Sequence, residues 1–189
     1  MLDSALRFVV DELNSYLNAK TGLTDKIVVL GPLLDDAGKY AIAKNTVGLS
    51  LINIEQETAI KRQLPQASFA KGKTLSFAPE LHLNLYVVIA ARFELYDQAL
   101  KYLSHIMNYF QSNTVFTPER TPALGEDIAK LSLELQSLNY DQLNQVWAFI
   151  GGKHLPSVYY KIRMLSLQDS HTPSVGQPVL TISNDLQTK

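Results

Sequence analysis

Residues 81–112 constrain the fold most strongly, because their apolar pattern changes from the period of a strand to that of a helix. The first part predicts a β-strand with one apolar face, made by Leu81, Leu83, Leu85, Val87 and Ile89. The second part predicts an amphipathic helix, in which apolar residues recur at three- and four-residue steps: Tyr96, Ala99, Leu100, Leu103, Ile106, Met107 and Phe110. We therefore expect a long central strand that leads directly into a helix packed over one face of a sheet.

The other face of the predicted central strand changes character along its length. It begins with the polar residues His82, Asn84 and Tyr86, and it ends with Val88 and Ala90. A strand with apolar residues on both faces is typical of a sheet that is covered on both sides. We therefore expect the end of this strand to be covered on both faces.

The remaining elements predict an α+β domain with a four- to five-stranded, mainly antiparallel or mixed sheet and helices packed on it. A first helix is expected at 2–19, with Asp3 or Ser4 as N-cap, and a last one before Gly151-Gly152, with Asn139 or Asp141 as N-cap. Further strands are expected at 27–30, 47–55, 131–135 and 157–167, with a short strand or extended segment at 114–116. The second of these, VGLSLINIE, is almost continuously apolar, which predicts burial on both faces.

Two segments do not show a sustained period. Residues 56–79 are rich in lysine and glutamine and contain two prolines, so we expect a long exposed loop with a hairpin tip around 70–74. Residues 169–189 are rich in Ser, Thr, Pro, Gly and Asn, so we expect a flexible C-terminal arm after a folded domain at 1–168. Within that arm, 179–182 is a short apolar patch that could add a strand to a sheet edge.

Composition excludes several classes of function. The formal net charge of −1 leaves no basic surplus for phosphates, so nucleic acid is not an expected partner. The chain has no cysteine, which excludes disulfides, thiolate catalysis and zinc–thiolate sites. Its apolar runs are too short to span a bilayer, and its N-terminus does not resemble a signal peptide, so we expect no membrane partner.

The sequence shows no constellation of catalytic, cofactor-binding or metal-binding residues. The four histidines, His82, His105, His154 and His171, lack a second ligand at metal-site spacing. Gly151-Gly152 follows a helix, so it is interpreted as a C-cap and not as an anion cradle. A small hydrolase that uses His82 or His154 with a nearby carboxylate is an alternative, but no nucleophile–base spacing supports it.

The last predicted core strand carries a polar face. Tyr159, Lys161 and Arg163 lie opposite its apolar set. They could form a solvated face or a protein interface, where Tyr and Arg are enriched. Trp147, on the apolar stripe of the last helix, is predicted to be a core residue.

Several ordered blocks of the chain resemble a known family. They are LRFVVDELNSYL, VGLSLINIEQE, LNLYVVIAARF, YDQALKYLSHIMNYFQ, FTPERTPAL and KLSLELQSLNYDQLNQVWAFIGGKHLPSVYYKIRML. Their order and spacing over about residues 1–168 resemble the tail-terminator, or cap, proteins of extracellular contractile injection systems of the antifeeding-prophage and virulence-cassette type.

The resemblance implies a structural protein with the α+β fold of phage tail terminators. It implies a homo-hexameric ring on the last layer of the inner tube and the sheath, assembled in the cytoplasm and later part of a released extracellular particle. It implies no enzyme activity and no cofactor. A baseplate or tube adaptor of the same particle is the main alternative.

Two contact hypotheses follow from that role. The loop at 56–79, with Lys71 and Lys73, is expected to reach the tube or the sheath. The arm, through Val179, Leu180 and Ile182, is expected to add a strand to a neighbouring subunit or to a sheath arm.

Overall fold

The computed structural model describes residues 1–57, 66–70, 73–77, 81–125, 127–166 and 174–176. The described helices are α1 (Leu2–Thr21), α2 (Tyr96–Ser112) and α3 (Tyr140–Ile150), with a short 3-10 helix at Pro122–Leu124. The described strands are β1 (Val28–Leu30), β2 (Thr46–Gln56), β3 (Gln66–Ala70), β4 (Lys73–Phe77), β5 (Leu81–Arg92), β6 (Val115–Phe116), β7 (Ile128–Gln136), β8 (Ser157–Ser166) and β9 (Ser174–Gly176).

The main sheet has six strands in the order β1-β2-β5-β8-β7-β6. The β1–β2 pair is parallel, and the other pairs are antiparallel. The predicted α+β class and mixed, mainly antiparallel sheet are therefore confirmed. The predicted count of four to five strands is too low, because the two-residue strand β6, expected only as a short strand or an extended segment, is also part of the sheet.

The larger core lies between this sheet and the helices α1 and α2. On β5 it contains Leu85, Val87 and Ile89, each at most 1% exposed. The helix α2 contributes Ala99, Leu103, Ile106 and Phe110 to the same core. This arrangement confirms that the chain turns from the central strand into a helix that packs over one face of the sheet.

The helix ends agree with the sequence in part. α1 begins at Leu2 with Met1 as N-cap and without a side-chain cap, so the predicted cap at Asp3 or Ser4 is wrong. The carboxylate of Asp3 instead lies 2.9 Å from Nε of Arg7, one helical turn further on. For α3 the prediction is confirmed, because Asn139 forms a capping box with Gln142 and Gly151 ends the helix with φ 81°.

The prediction that the strand at 47–55 is buried on both faces is wrong for its second half. β2 is buried near Val47, Gly48 and Leu49, but it is exposed from Asn53 onwards. A register shift between Leu51 and Asn53 separates the two parts. The reason is that neither core contains a residue of β2 beyond Ile52.

A second, three-stranded sheet has the order β3-β4-β9. β3 and β4 form a hairpin that ends at the pair Ala70–Lys73, so the predicted hairpin tip is confirmed while the surrounding stretch is not simply a loop. β3 follows β2 in the chain, β4 precedes β5, and β9 follows β8. The order β3-β4-β9 in the small sheet therefore matches the order β2-β5-β8 in the main sheet, because each small-sheet strand lies next in the chain to its main-sheet counterpart.

Candidate functional site

The sheet face opposite α1 and α2 is only half covered. α3 packs over one end of it, where Trp147 lies against Val88, Ala90 and Tyr159 in a second core. The indole N–H of Trp147 donates a hydrogen bond of 2.8 Å to the hydroxyl of Tyr159. Trp147 is 5% exposed, so the prediction that it is a core residue is confirmed.

Beyond α3 the same sheet face is polar and only partly exposed, since Asn84 within it is 4% exposed. Side chains from four neighbouring strands meet there, since directly paired residues of antiparallel strands point to the same face. We call this surface the open face; its members are Glu55 (β2), Asn84 and Tyr86 (β5), Lys161 and Arg163 (β8) and Glu134 (β7). Across the sheet, the open face is therefore acidic on β2, neutral on β5, basic on β8 and acidic again on β7.

The open face is held together by hydrogen bonds between strands. The hydroxyl of Tyr86 donates to Glu55 at 2.9 Å, and a guanidinium N–H of Arg163 donates to Glu134 at 3.0 Å. Burial and the bond to Glu55 raise the pKa of Tyr86 above its ordinary value, so it remains a protonated donor. The ammonium group of Lys161 lies 5.8 Å from the centre of the Tyr86 ring and makes no ion pair with a described carboxylate.

A cavity of about 200 Å³ lies where α3 meets the open face. Ile52, Leu138 and Val146 give it an apolar wall, and Glu55 and Tyr86 are among its polar lining residues. Glu55 and Tyr86 are hydrogen-bonded to each other, and the described residues contain no cluster of three potential metal ligands. The arrangement suits the insertion of an apolar side chain better than acid–base chemistry.

The helix α2 exposes apolar side chains on the flank of its buried stripe. Tyr96 is 68% exposed, Leu100 45% and Met107 38%. We call these three residues the α2 stripe; their spacing of four and seven residues places them on one side of the helix.

In the part of the chain that the structure describes, no helix combines the length and the apolar character needed to cross a bilayer.

The structure separates the residues that the sequence analysis grouped as an interface. Lys161 and Arg163 lie on the open face, and their predicted interface role stays a prediction. Tyr159 is 8% exposed beneath α3, so the expectation that it shares an exposed face with them is wrong. Lys73 lies in β4 at the end of the hairpin, whereas Lys71 and the apolar patch of the arm, Val179, Leu180 and Ile182, lie outside the described residues.

Sequence reasoning missed two features of this surface. It treated the seven apolar residues of α2 as one periodic set, without separating the exposed Tyr96, Leu100 and Met107 from the buried ones. A signal was present, because seven such residues cover more than the roughly 100° stripe that one buried contact requires. The cross-strand bond of Tyr86 to Glu55 had no sequence signal, because it depends on the register of β2 against β5.

Comparisons with known proteins agree with this architecture. The chain is similar to the sheath/tube terminator of the PVC extracellular contractile injection system in its extended state, with a TM-score of 0.63 and 15% identity over 100% of this chain. It is also similar to the tube-terminating cap of the anti-feeding prophage, with a TM-score of 0.58 and 14% identity over 97% of this chain. It spans 64% and 59% of the lengths of those two chains.

The resemblance of the sequence blocks is confirmed by a family model as well as by the fold. A search of curated protein sequences gives no match to this chain. Residues 5–181 match the model described as the Pvc16 N-terminal domain. Because the match includes most of the chain, the chain belongs to the Pvc16 N-terminal domain family.

Proposed function

We propose that this chain is a structural terminator that caps the tube and sheath of a phage-tail-like contractile injection particle and ends their polymerisation. The observation that carries the proposal is the match of its whole fold to a sheath/tube terminator, together with its family membership over residues 5–181. It acts as a homo-hexameric ring, without a cofactor and without catalysis. It is assembled in the cytoplasm and then forms part of the released particle.

The surface of the folded domain supports a role in assembly. Side chains of Tyr96 on α2 and of Tyr140 and Phe149 on α3 are between 68% and 91% exposed although the chain has two well-filled cores. Exposed aromatic residues of this kind are enriched at protein interfaces. The open face adds a second surface of a different character, with fixed charges of both signs.

A terminator must bind the end of a polymer, and it must not present a surface to which a further subunit of that polymer can bind. Two features of the described residues fit this requirement. The free part of the β2 edge is blunted, because the backbone N–H of Ile54 already donates to the side chain of Asn53 at 2.9 Å. The hairpin β3–β4 and the strand β9 give the chain an additional sheet, which we propose contacts the tube or the sheath through the region of Lys71 and Lys73.

The experiment removes this chain from the cells that make the particle and measures particle length by electron microscopy. We expect a broad distribution of lengths with many overlong tubes, and restoration of one length when the chain is supplied again. Unchanged lengths without the chain would overturn the proposal. A tagged copy should be located at the end away from the baseplate, and a tag at the baseplate would instead identify an adaptor.

A further inference from the structure

We propose that Asn53 prevents a second copy of this chain from adding its own strand to the uncovered edge of β2, and that Glu55 and Tyr86 hold the Asn53 side chain in place. The inference rests on the proposed function, because a terminator that accepted strands at its sheet edge would itself begin a new assembly. In this assignment, Asn53 determines specificity, and Glu55 and Tyr86 are positioning residues.

Most of the outer edge of β2 lacks a neighbouring strand among the described residues. β1 pairs with residues 47–49, whereas β2 continues to Gln56 and pairs there with β5 alone. An uncovered edge presents backbone donors and acceptors to which a strand of another chain can pair. This edge therefore needs a feature that stops strand addition.

The sequence of the uncovered part of β2 also favours pairing. Residues 49–54 are LSLINI, which contains no charged residue and no proline. The side chain of Ile54 is 42% exposed, so an apolar group is available beside the edge. Uncharged segments with high strand propensity add to one another readily when their edges are open.

Asn53 occupies a backbone donor that such a pairing would use. The backbone N–H of Glu57 donates to the carbonyl of His82 in β5, and the N–H groups of a strand alternate between its two sides. The N–H of Ile54, three residues before Glu57, therefore points away from β5 towards the uncovered edge. It donates to Oδ1 of Asn53 at 2.9 Å. The register shift between Leu51 and Asn53 adds a second irregularity to the same edge.

Hydrogen bonds on the open face fix the orientation of the Asn53 amide. Nδ2 of Asn53 donates to Oε1 of Glu55 at 3.2 Å, and the hydroxyl of Tyr86 donates to Oε2 of the same carboxylate at 2.9 Å. Because Nδ2 is bound to the carboxylate, Oδ1 is the atom that accepts from the N–H of Ile54. Tyr86 lies opposite Asn53 in the neighbouring strand. The network therefore couples the edge of the sheet to its central strand.

Removal of the amide tests the role of Asn53, because Asn53→Ala frees the N–H of Ile54 to pair with a second copy. We expect the purified variant to associate beyond the mass of the unchanged chain at a concentration at least about tenfold lower, measured by light scattering. Asn53→Ala combined with Ile54→Pro lacks both the side-chain acceptor and the backbone donor, so its mass should return to that of the unchanged chain. Asn108→Ala, at an exposed position on α2, is the matched control. Equal masses for all variants at every concentration would overturn the proposal.

Hydrogen exchange at the backbone amide of Ile54 tests the positioning role of Tyr86. Tyr86→Phe removes the hydroxyl that holds Glu55, so in dilute protein we expect several-fold faster exchange at Ile54 and unchanged exchange at the buried Ile89 of β5. Tyr140→Phe, at an exposed position, is the control and should leave both exchange rates unchanged. Exchange at Ile54 that is as slow in Tyr86→Phe as in the unchanged chain would refute the positioning role.

These outcomes are separate from the fate of the proposed function. If removal of the chain gives overlong particles but Asn53→Ala does not associate, the role of Asn53 is refuted and the terminator role stands. If Asn53→Ala associates but removal of the chain leaves particle length unchanged, the role of Asn53 is supported and the terminator role is refuted. Association that persists when Ile54→Pro is added would assign the contact to another surface, and this too would overturn the proposal.

Discussion

Trp147 of α3 and Tyr159 of β8 are joined by a buried hydrogen bond of 2.8 Å from the indole N–H to the phenol oxygen. The hydroxyl of Ser157 also donates to that oxygen, at 3.1 Å. The hydroxyl oxygen of Tyr159 therefore replaces water as the hydrogen-bond acceptor of the buried indole N–H. This role explains why an aromatic residue on the polar face of β8 is covered by a helix.

Replacing Tyr159 by Phe should destabilise the chain by about 1–3 kcal/mol, because the buried indole N–H of Trp147 would lose its acceptor. Urea unfolding measures the change. Tyr140→Phe is the control, since Tyr140 is 91% exposed, and it should leave the free energy of unfolding unchanged. A Tyr159→Phe variant with normal stability but altered oligomeric mass would contradict this assignment and favour a role at an interface.

Asn14 attaches α1 to the edge strand β1. Its side-chain amide donates to the carbonyl of Val28 and accepts from the N–H of Val28, both at 2.9 Å, and the side chain is 7% exposed. Asn14→Ala would leave two backbone groups of an edge strand without partners, so we expect a loss of at least about 2 kcal/mol in unfolding free energy. Asn144→Ala, an exposed position on α3, is the control. Equal effects of the two substitutions would show that the amide bonds contribute little.

Gly48 lets the loop after β1 approach β2 closely. A Cβ atom at this position would lie 2.6 Å from Ile42 and 2.8 Å from Leu33. Gly48→Ala should therefore cost about 1–3 kcal/mol through overpacking, measured as a loss of unfolding free energy. Combining it with Ile42→Ala should cost less than the sum of the two single changes. Gly31→Ala, where a Cβ meets nothing within 4 Å, is the control; an equal cost there would refute the steric explanation.

Much of this fold could be predicted because its main elements are long and periodic. The alternation in β5 and the three- and four-residue steps in α2 identified both elements, and the two-sided end of β5 was apparent from Val88 and Ala90. The edge strand β6 was harder, because its formation depends on pairing with β7, which follows later in the chain. The open face was unpredictable for the same reason: Tyr86 meets Glu55 only through a register that includes a shift in β2.

The stability of the chain should fall at alkaline pH. Burial raises the pKa of Tyr160 to about 12, whereas an unfolded tyrosine titrates at about 10. Above about pH 10 the unfolded state therefore binds fewer protons than the folded state, so the free energy of unfolding declines as pH rises towards about 12. Burial, followed by the hydrogen bond to Glu12, raises the pKa of Tyr109 in the same direction.

Tyr160→Phe tests this pH dependence. Urea unfolding between about pH 9 and about pH 12 should show a shallower decline for the variant, by up to about 1.4 kcal/mol per pH unit. Tyr140→Phe, at an exposed position, should leave the decline unchanged. If the Tyr160→Phe variant declines as steeply as the unchanged chain, the buried phenol of Tyr160 is not a cause.

The C-terminal arm should contribute to attachment and not to the main fold. All six strands of the main sheet end by Ser166, so replacing Val179, Leu180 and Ile182 by Ser should leave the melting temperature within about 1 °C of the unchanged chain. The same variant should be retained poorly on sedimented particles, because it removes the apolar side chains that would support an added strand. Replacing Gln187, Thr188 and Lys189 by Ala is the matched control and should leave retention normal. Full retention of the serine variant on particles of normal length would show that the apolar patch of the arm is dispensable.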